Sequence, residues 1–181
     1  MRKFCTVLLT ISMLLALVAC GKSEEVSTGN NIATMYDSFE VTSESLKNGK
    51  WENDISNTNK GKNVSPELSW APVEGAKCYA IYMVDTSMQY FIHWKAANFT
   101  ETTLPKGWAT SEYVGPYPPS GGKHTYDIYV FALKNDVERL KGGFNSQNEK
   151  FPSFIEAIDT DVDGNTGNVI SCGYLSGTFK N

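Results

Sequence analysis

Between Tyr113 and Leu133 the chain reads YVGPYPPSGGKHTYDIYVFAL, a loop rich in proline and glycine that runs straight into the most strand-like segment of the sequence. The strand alternates strictly: His124, Tyr126, Ile128, Val130 and Ala132 fall on one face, and Thr125, Asp127, Tyr129, Phe131 and Leu133 on the other. His124 and Tyr126 therefore point the same way. Pro116, Pro118 and Pro119 stiffen the loop, while Gly115, Gly121 and Gly122 allow positive φ, so ordering it costs little entropy. Such a loop is either a plain hairpin connection into a core strand or a cradle that aims backbone N–H groups at a small anion.

Other segments point to the same architecture. Cys78–Val84, CYAIYMV, is apolar at every position, so neither face meets water and the segment reads as a central strand ending at Asp85. Phe91–Asn98 is another strand, in which His93 shares a face with Phe91, Lys95 and Ala97. Phe39–Ser43, a short strand ending at the core anchor Trp70, and Val169–Phe179 supply further strands. Lys47–Lys62, dense in Asn, Gly and Lys, reads as a surface excursion or an insertion. Pro152–Ile158 is the best helical candidate, with proline in its first turn and Phe154, Ile155 and Ile158 as an apolar stripe. No internal repeat is present. The expected fold is mainly β and mostly antiparallel, with one or two short helices.

The first residues have another role. Arg2 and Lys3 precede an uncharged apolar run from Phe4 to Leu17, too short for a comfortable membrane span, and Leu17-Val18-Ala19-Cys20 has the form of a bacterial lipobox. Residues 1–19 then form a lipoprotein signal and Cys20 becomes the lipidated first residue. Residues 20–37, polar and without period, form a flexible tether, and residues 38–181 form one domain outside the cytoplasm, anchored to a bacterial membrane. Loss of Arg2 and Lys3 takes the net charge from −4 to −6, so no basic face exists to displace counterions from nucleic acid. Cys78 and Cys172 remain. They are able to pair outside the cytosol if their Cα atoms come close enough.

With these pieces in order, the chain resembles the phosphatidylethanolamine-binding protein family, also called the Raf-kinase-inhibitor-like family, in its small bacterial branch. The resemblance rests on Asn63–Trp70, Gly75-Ala76-Lys77, Asp85, His93-Trp94, Leu104–Gly107, Tyr113–Gly121, His124-Thr125-Tyr126 and Leu175–Phe179, and spans about Phe39 to Phe179. It implies a β-sandwich of two antiparallel sheets and a small pocket for phosphate-like anions. Asp85 matches the first aspartate of the family's Asp-Pro-Asp-Ala-Pro motif and His93 the histidine of its His-Trp pair. Gly115 and Pro116 match its Gly-Pro, and His124 and Tyr126 its His-x-Tyr. The chain departs at Thr86-Ser87-Met88-Gln89, where the second carboxylate and the prolines are missing.

The resemblance thus implies a non-enzymatic protein, without a cofactor, that binds a small phosphorylated or anionic ligand through Asp85, His93, Gly115, Pro116, His124 and Tyr126. Two histidines can donate to an anion, Asp85 can hold one in the donating tautomer, and binding then strengthens as imidazoles protonate near the reference value of about 6.5. The alternative is an interaction module that inhibits a protease or other enzyme with the pocket mouth. Ser87 and Ser120 lie in nearby loops, but neither sits in a Gly-x-Ser-x-Gly elbow. One motif lies apart: Asp159, Asp161, Asp163 and Asn165 have the spacing of a calcium loop, with Ile170 where the bidentate glutamate belongs. It is a weak calcium site or a solvated acidic loop.

Overall fold

The computed structural model describes residues 32–109 and 111–181. The expected signal of residues 1–19, the expected lipidation site Cys20 and the expected tether up to residue 31 lie outside the described residues. The strands are β1 (Asp37–Phe39), β2 (Val41–Thr42), β3 (Leu46–Lys47), β4 (Lys50–Trp51), β5 (Leu68–Trp70), β6 (Cys78–Asp85), β7 (Phe91–Phe99), β8 (Thr103–Leu104), β9 (Lys123–Leu133) and β10 (Val169–Lys180). The single α-helix among the described residues, α1, spans Phe151–Ile158, with Pro152 in its first turn.

The large sheet runs β3-β4-β10-β9-β6-β7, with β1 also on β10, and the small sheet runs β2-β5-β8. β6, β7, β9 and β10 pair antiparallel, whereas β1 and β4 lie parallel to β10, so the large sheet is mixed at that side. Two cores result from the period of two. Ala80, Tyr82 and Val84 of β6 and Tyr129, Phe131 and Leu133 of β9 meet α1 through Phe151, Ile155 and Ile158. Tyr79, Ile81 and Met83, with Tyr126, Ile128, Val130 and Ala132, face the small sheet through Val41, Leu68, Trp70 and Leu104. Every residue of β6 is buried because its sheet is covered on both sides. This is the mainly β sandwich the sequence leads one to expect.

Three expectations change. Residues 32–37 belong to the folded body: Ile32 is buried, Tyr36 packs edge-on against Phe131 at 6.4 Å, and Asp37 pairs with Ser171. The stretch from Lys47 to Lys62 lies mostly at the surface but is anchored in the core. Asn48 and Gly49, both at positive φ, close the β3–β4 hairpin, which buries Trp51, and Ile55 is fully buried behind it. Cys78 and Cys172 are both buried and free. They stand on opposite sides of β9, aligned with Leu133 and Phe131. Two interstrand steps of about 4.8 Å exceed the roughly 7 Å limit for a disulfide.

Candidate functional site

The register of β6, β7 and β9 gathers the polar residues at one end of the large sheet. Asp85, last residue of β6, lies opposite Tyr126 on β9 and Phe91 on β7, and directly opposed residues share a face. His124, two residues before Tyr126, shares that face too. These residues line a cavity of about 250 Å³, closed by Tyr117, Pro118 and Pro119 on one side and by Met88 on another.

His93 reaches the cavity by a different device. Met83 pairs with Trp94 and Val84 with Ile92, so His93 is the extra residue of a β-bulge. The bulge interrupts alternation, which lets His93 line the cavity beside Phe91 while Trp94 packs in the core under the small sheet. Lys95 and Ala97 do not share its face. Lys95 Nζ instead donates to the carbonyls of Leu140 and Gly142, and Ala97 packs against the core under α1. The strict alternation read from the sequence fails at this residue.

The hydrogen bonds define the protonation pattern. His124 Nδ1 lies 2.6 Å from Asp85 Oδ2 and His93 Nδ1 lies 2.7 Å from the carbonyl oxygen of Val114. Neither oxygen carries a proton to give, so both Nδ1 atoms donate. In each neutral ring Nε2 is then an acceptor, and it donates only when the ring is protonated. The expectation that both histidines offer a donor to an anion is corrected on this point. Burial, chiefly, holds the His93 imidazole below its ordinary pKa, against the opposing pull of the Val114 carbonyl and the Asp85 charge. Burial likewise raises the Tyr126 and Tyr117 phenols, with Asp85 adding to both shifts. Both tyrosines therefore stay neutral.

Asp85 has a second task. Its Oδ1 accepts the Ser87 N–H at 2.8 Å and so caps the 3₁₀ turn Thr86–Met88. Ser87 Oγ in turn accepts the Thr125 N–H at 3.0 Å. This is how the departing segment Thr86-Ser87-Met88-Gln89 is held: a hydroxyl bonded to the backbone stands at Ser87, and Met88 lines the cavity.

Gly115 and Pro116 do not line the cavity. Gly115 N–H donates to Asn63 Oδ1 at 2.7 Å and the Pro116 carbonyl accepts the Asn57 N–H at 2.9 Å. A Cβ on Gly115 would stand 1.8 Å from the Ile55 carbonyl oxygen, so glycine is required by close approach. The N–H groups of Gly121 and Gly122 go to the carbonyls of Asn181 and Pro119. These glycines are buttresses, and the cradle of free N–H groups expected of the loop is absent at these positions. Its pocket wall is Tyr117-Pro118-Pro119, which sequence reasoning missed together with Phe91 and Met88. Tyr117 was findable, being the only aromatic side chain between Gly115 and Gly122.

At the calcium-loop motif the carboxylates have backbone partners. Asp161 Oδ1 accepts the N–H groups of Asp163 and Asn165, and Asp159 accepts those of Gly167 and Val169. The two carboxylates are turned to backbone donors, which hold the Asp161 carboxyl below its ordinary range. Among the described residues no three His, Cys, Asp or Glu side chains are arranged to hold a metal ion.

Fold and site together define a mainly β domain with a histidine–aspartate pocket at one end of its large sheet. Residues 22–168 match the family model for the phosphatidylethanolamine-binding protein, and the chain belongs to that family. Two solved structures share the fold. YbcL of E. coli, described as a new member of the mammalian family of these proteins, aligns with a TM-score of 0.59 at 22% identity, covering 79% of this chain and 98% of that one. The CT736 homologue of Chlamydia trachomatis gives 0.56 at 22% identity, with 80% and 99% covered. No functionally curated protein matches.

Proposed function

We propose that this protein binds a small phosphorylated or otherwise anionic ligand, without transforming it, in the pocket of Asp85, His93, His124 and Tyr126. We further propose that the lipid on Cys20 holds it to a bacterial membrane, outside the cytoplasm. Proteins of this family are in general non-catalytic binding proteins. The observation that carries the reading is the Asp85–His124 pair in the cavity wall, in which the 2.6 Å bond from Nδ1 to Asp85 Oδ2 orients the ring and leaves Nε2 for a ligand. His93, kept neutral by burial, offers Nε2 as an acceptor. A singly protonated phosphate suits this pair: an anionic oxygen accepts from His124 and a P–OH donates to His93. Ser87 Oγ accepts the Thr125 N–H, and Ser87 is not among the residues that line the cavity, which supports binding over hydrolysis.

A second reading has its own observation. Met88 and Tyr117, each 40% exposed, flank the mouth and offer apolar surface to a protein partner, such as an enzyme that the domain inhibits. Thermal unfolding of the chain with and without phosphate and phosphoethanolamine, at several pH values, tests the first reading. A ligand that binds only the native state raises the midpoint by mass action. The expected shift is larger at acid than at neutral pH and is lost in His124→Ala. A shift equal at all pH values, or kept in His124→Ala, overturns it. A protein partner held at the mouth would be displaced by phosphate.

A further inference from the structure

A second cavity, of about 300 Å³, opens at the same end of the large sheet and shares no residue with the first. It is lined by Lys50, Lys123 and Lys180, with Trp51, Asn53, Thr178 and Phe179. The ladder explains why three lysines meet. Lys123 of β9 is directly opposite Lys180 of β10, and Lys50 of β4 is opposite Thr178, two residues along from Lys180. All four side chains therefore lie on one face, the reverse of the one that carries His124.

Like charges directly opposed in a ladder cost stability, and sheets ordinarily balance them with a carboxylate. Here none is supplied. Among the described residues the three lysines form no ion pair or side-chain hydrogen bond, and no aspartate or glutamate lines the cavity, although the chain carries a net charge of −4. Along that face of β9 the next carboxylate is Asp127, which accepts from Ser176 at 2.7 Å. Three exposed lysines thus line one cavity, together with Trp51 and Phe179 from the opposite face, and no carboxylate lines it with them.

We propose that Lys50, Lys123 and Lys180 form a phosphate-binding site, separate from the histidine pocket, for a phosphate group borne by a small solute or by a lipid headgroup. Lysines act there as point charges around an oxyanion, with Thr178 and Asn53 as neutral polar neighbours. Lys123 and Lys180 sit on the paired strands β9 and β10 and Lys50 on β4 beside β10, so strand pairing brings the charges together before the anion arrives.

The test is a titration of the full chain, followed by amide chemical shifts, with inorganic phosphate and with glycerol 3-phosphate. Binding to phosphatidylcholine vesicles with and without phosphatidylglycerol is measured alongside. The expected result is saturable shifts at Lys123, Thr178 and Lys180, weakened roughly thirtyfold in Lys123→Gln/Lys180→Gln. The shifts are kept in Lys123→Arg/Lys180→Arg and in His124→Ala. Preference for glycerol 3-phosphate and for phosphatidylglycerol vesicles identifies the lipid source; equal response to inorganic phosphate identifies a free solute. Linear, unsaturable shifts, or shifts unchanged by the glutamine substitutions, overturn the proposal. Shifts lost only in His124→Ala also overturn it while leaving the histidine pocket standing. The glutamine variant should be the more thermostable in phosphate-free buffer, since it removes the opposed charges.

Discussion

Asp85 divides its two oxygens between tasks: Oδ2 takes the His124 Nδ1–H and Oδ1 takes the Ser87 N–H. Asp85→Asn replaces one acceptor by a donor, so His124 loses the carboxylate that accepts from its Nδ1. Phosphate affinity at mildly acid pH should fall about tenfold or more, the worth of a charge-assisted hydrogen bond, as calorimetry would measure. His93 links stability to pH. Its folded pKa lies below the unfolded value, so the folded state binds fewer protons; stability is full above the unfolded value of about 6.5 and drains as pH falls toward the folded one. His93→Gln should therefore flatten the decline of Tm between neutral and acid pH. For Asp127 the sign reverses. Burial, opposed by the Ser176, Tyr174 and Tyr129 bonds, raises its pKa, so stability is full below the unfolded value and falls as pH rises through the folded one. Asp127→Asn should raise Tm at neutral pH by roughly 2–4 °C, with the gain vanishing in acid. The common face of His124 and Tyr126 was legible because a strand has a period of two. The aim of His93 was not, because it depends on a bulge that only the pairing with β6 reveals.

At the scale of elements, the loop between β8 and β9 works by close approach. Gly115→Ala would drive a Cβ against the Ile55 carbonyl, backbone against backbone, where no rotamer gives relief. A loss of about 2–3 kcal/mol is expected in denaturant titration, with weaker phosphate binding as Tyr117, Pro118 and Pro119 shift. A variant with unchanged stability would show that the loop is free to move away from Ile55. The composition of the loop was enough to identify a stiff, structured connection. Which of its residues face the ligand and which face residues 53–63 was decided by the docking of two segments about 50 positions apart in sequence. The Thr86–Met88 turn is similar. Its sequence announced a departure from the family pattern, but the Thr125 N–H bond to Ser87 requires β9 to be in place.

On the scale of the whole molecule, the large sheet is covered on both faces, and the N-terminal segment belongs to one of the covers. Removing residues 32–36 takes Ile32 and Tyr36 from the core around Phe131, which should cost about 2–4 kcal/mol. An unchanged denaturation midpoint would mean that the segment is a tether after all. The two cysteines give a further check. Burial, first of all, pushes both thiols up to about 12, so neither should react with a thiol reagent in the native chain, and both should react after unfolding.

What the sequence determined alone follows from local periodicity and composition. An uninterrupted apolar run at Cys78–Val84 and strict alternation at Lys123–Leu133 require buried strands, and Pro152 with its apolar stripe places a short helix. These are properties of neighbouring residues, so neighbours suffice to show them. The tertiary structure decided the rest, because it depends on which strands lie side by side. The pairing of β9 with both β6 and β10 keeps Cys78 from Cys172, sets Asp85 beside His124 and brings Lys50, Lys123 and Lys180 together. Positions 85 and 124 acquire a common hydrogen bond only when the register of two strands is set, and no local pattern encodes a register between distant segments.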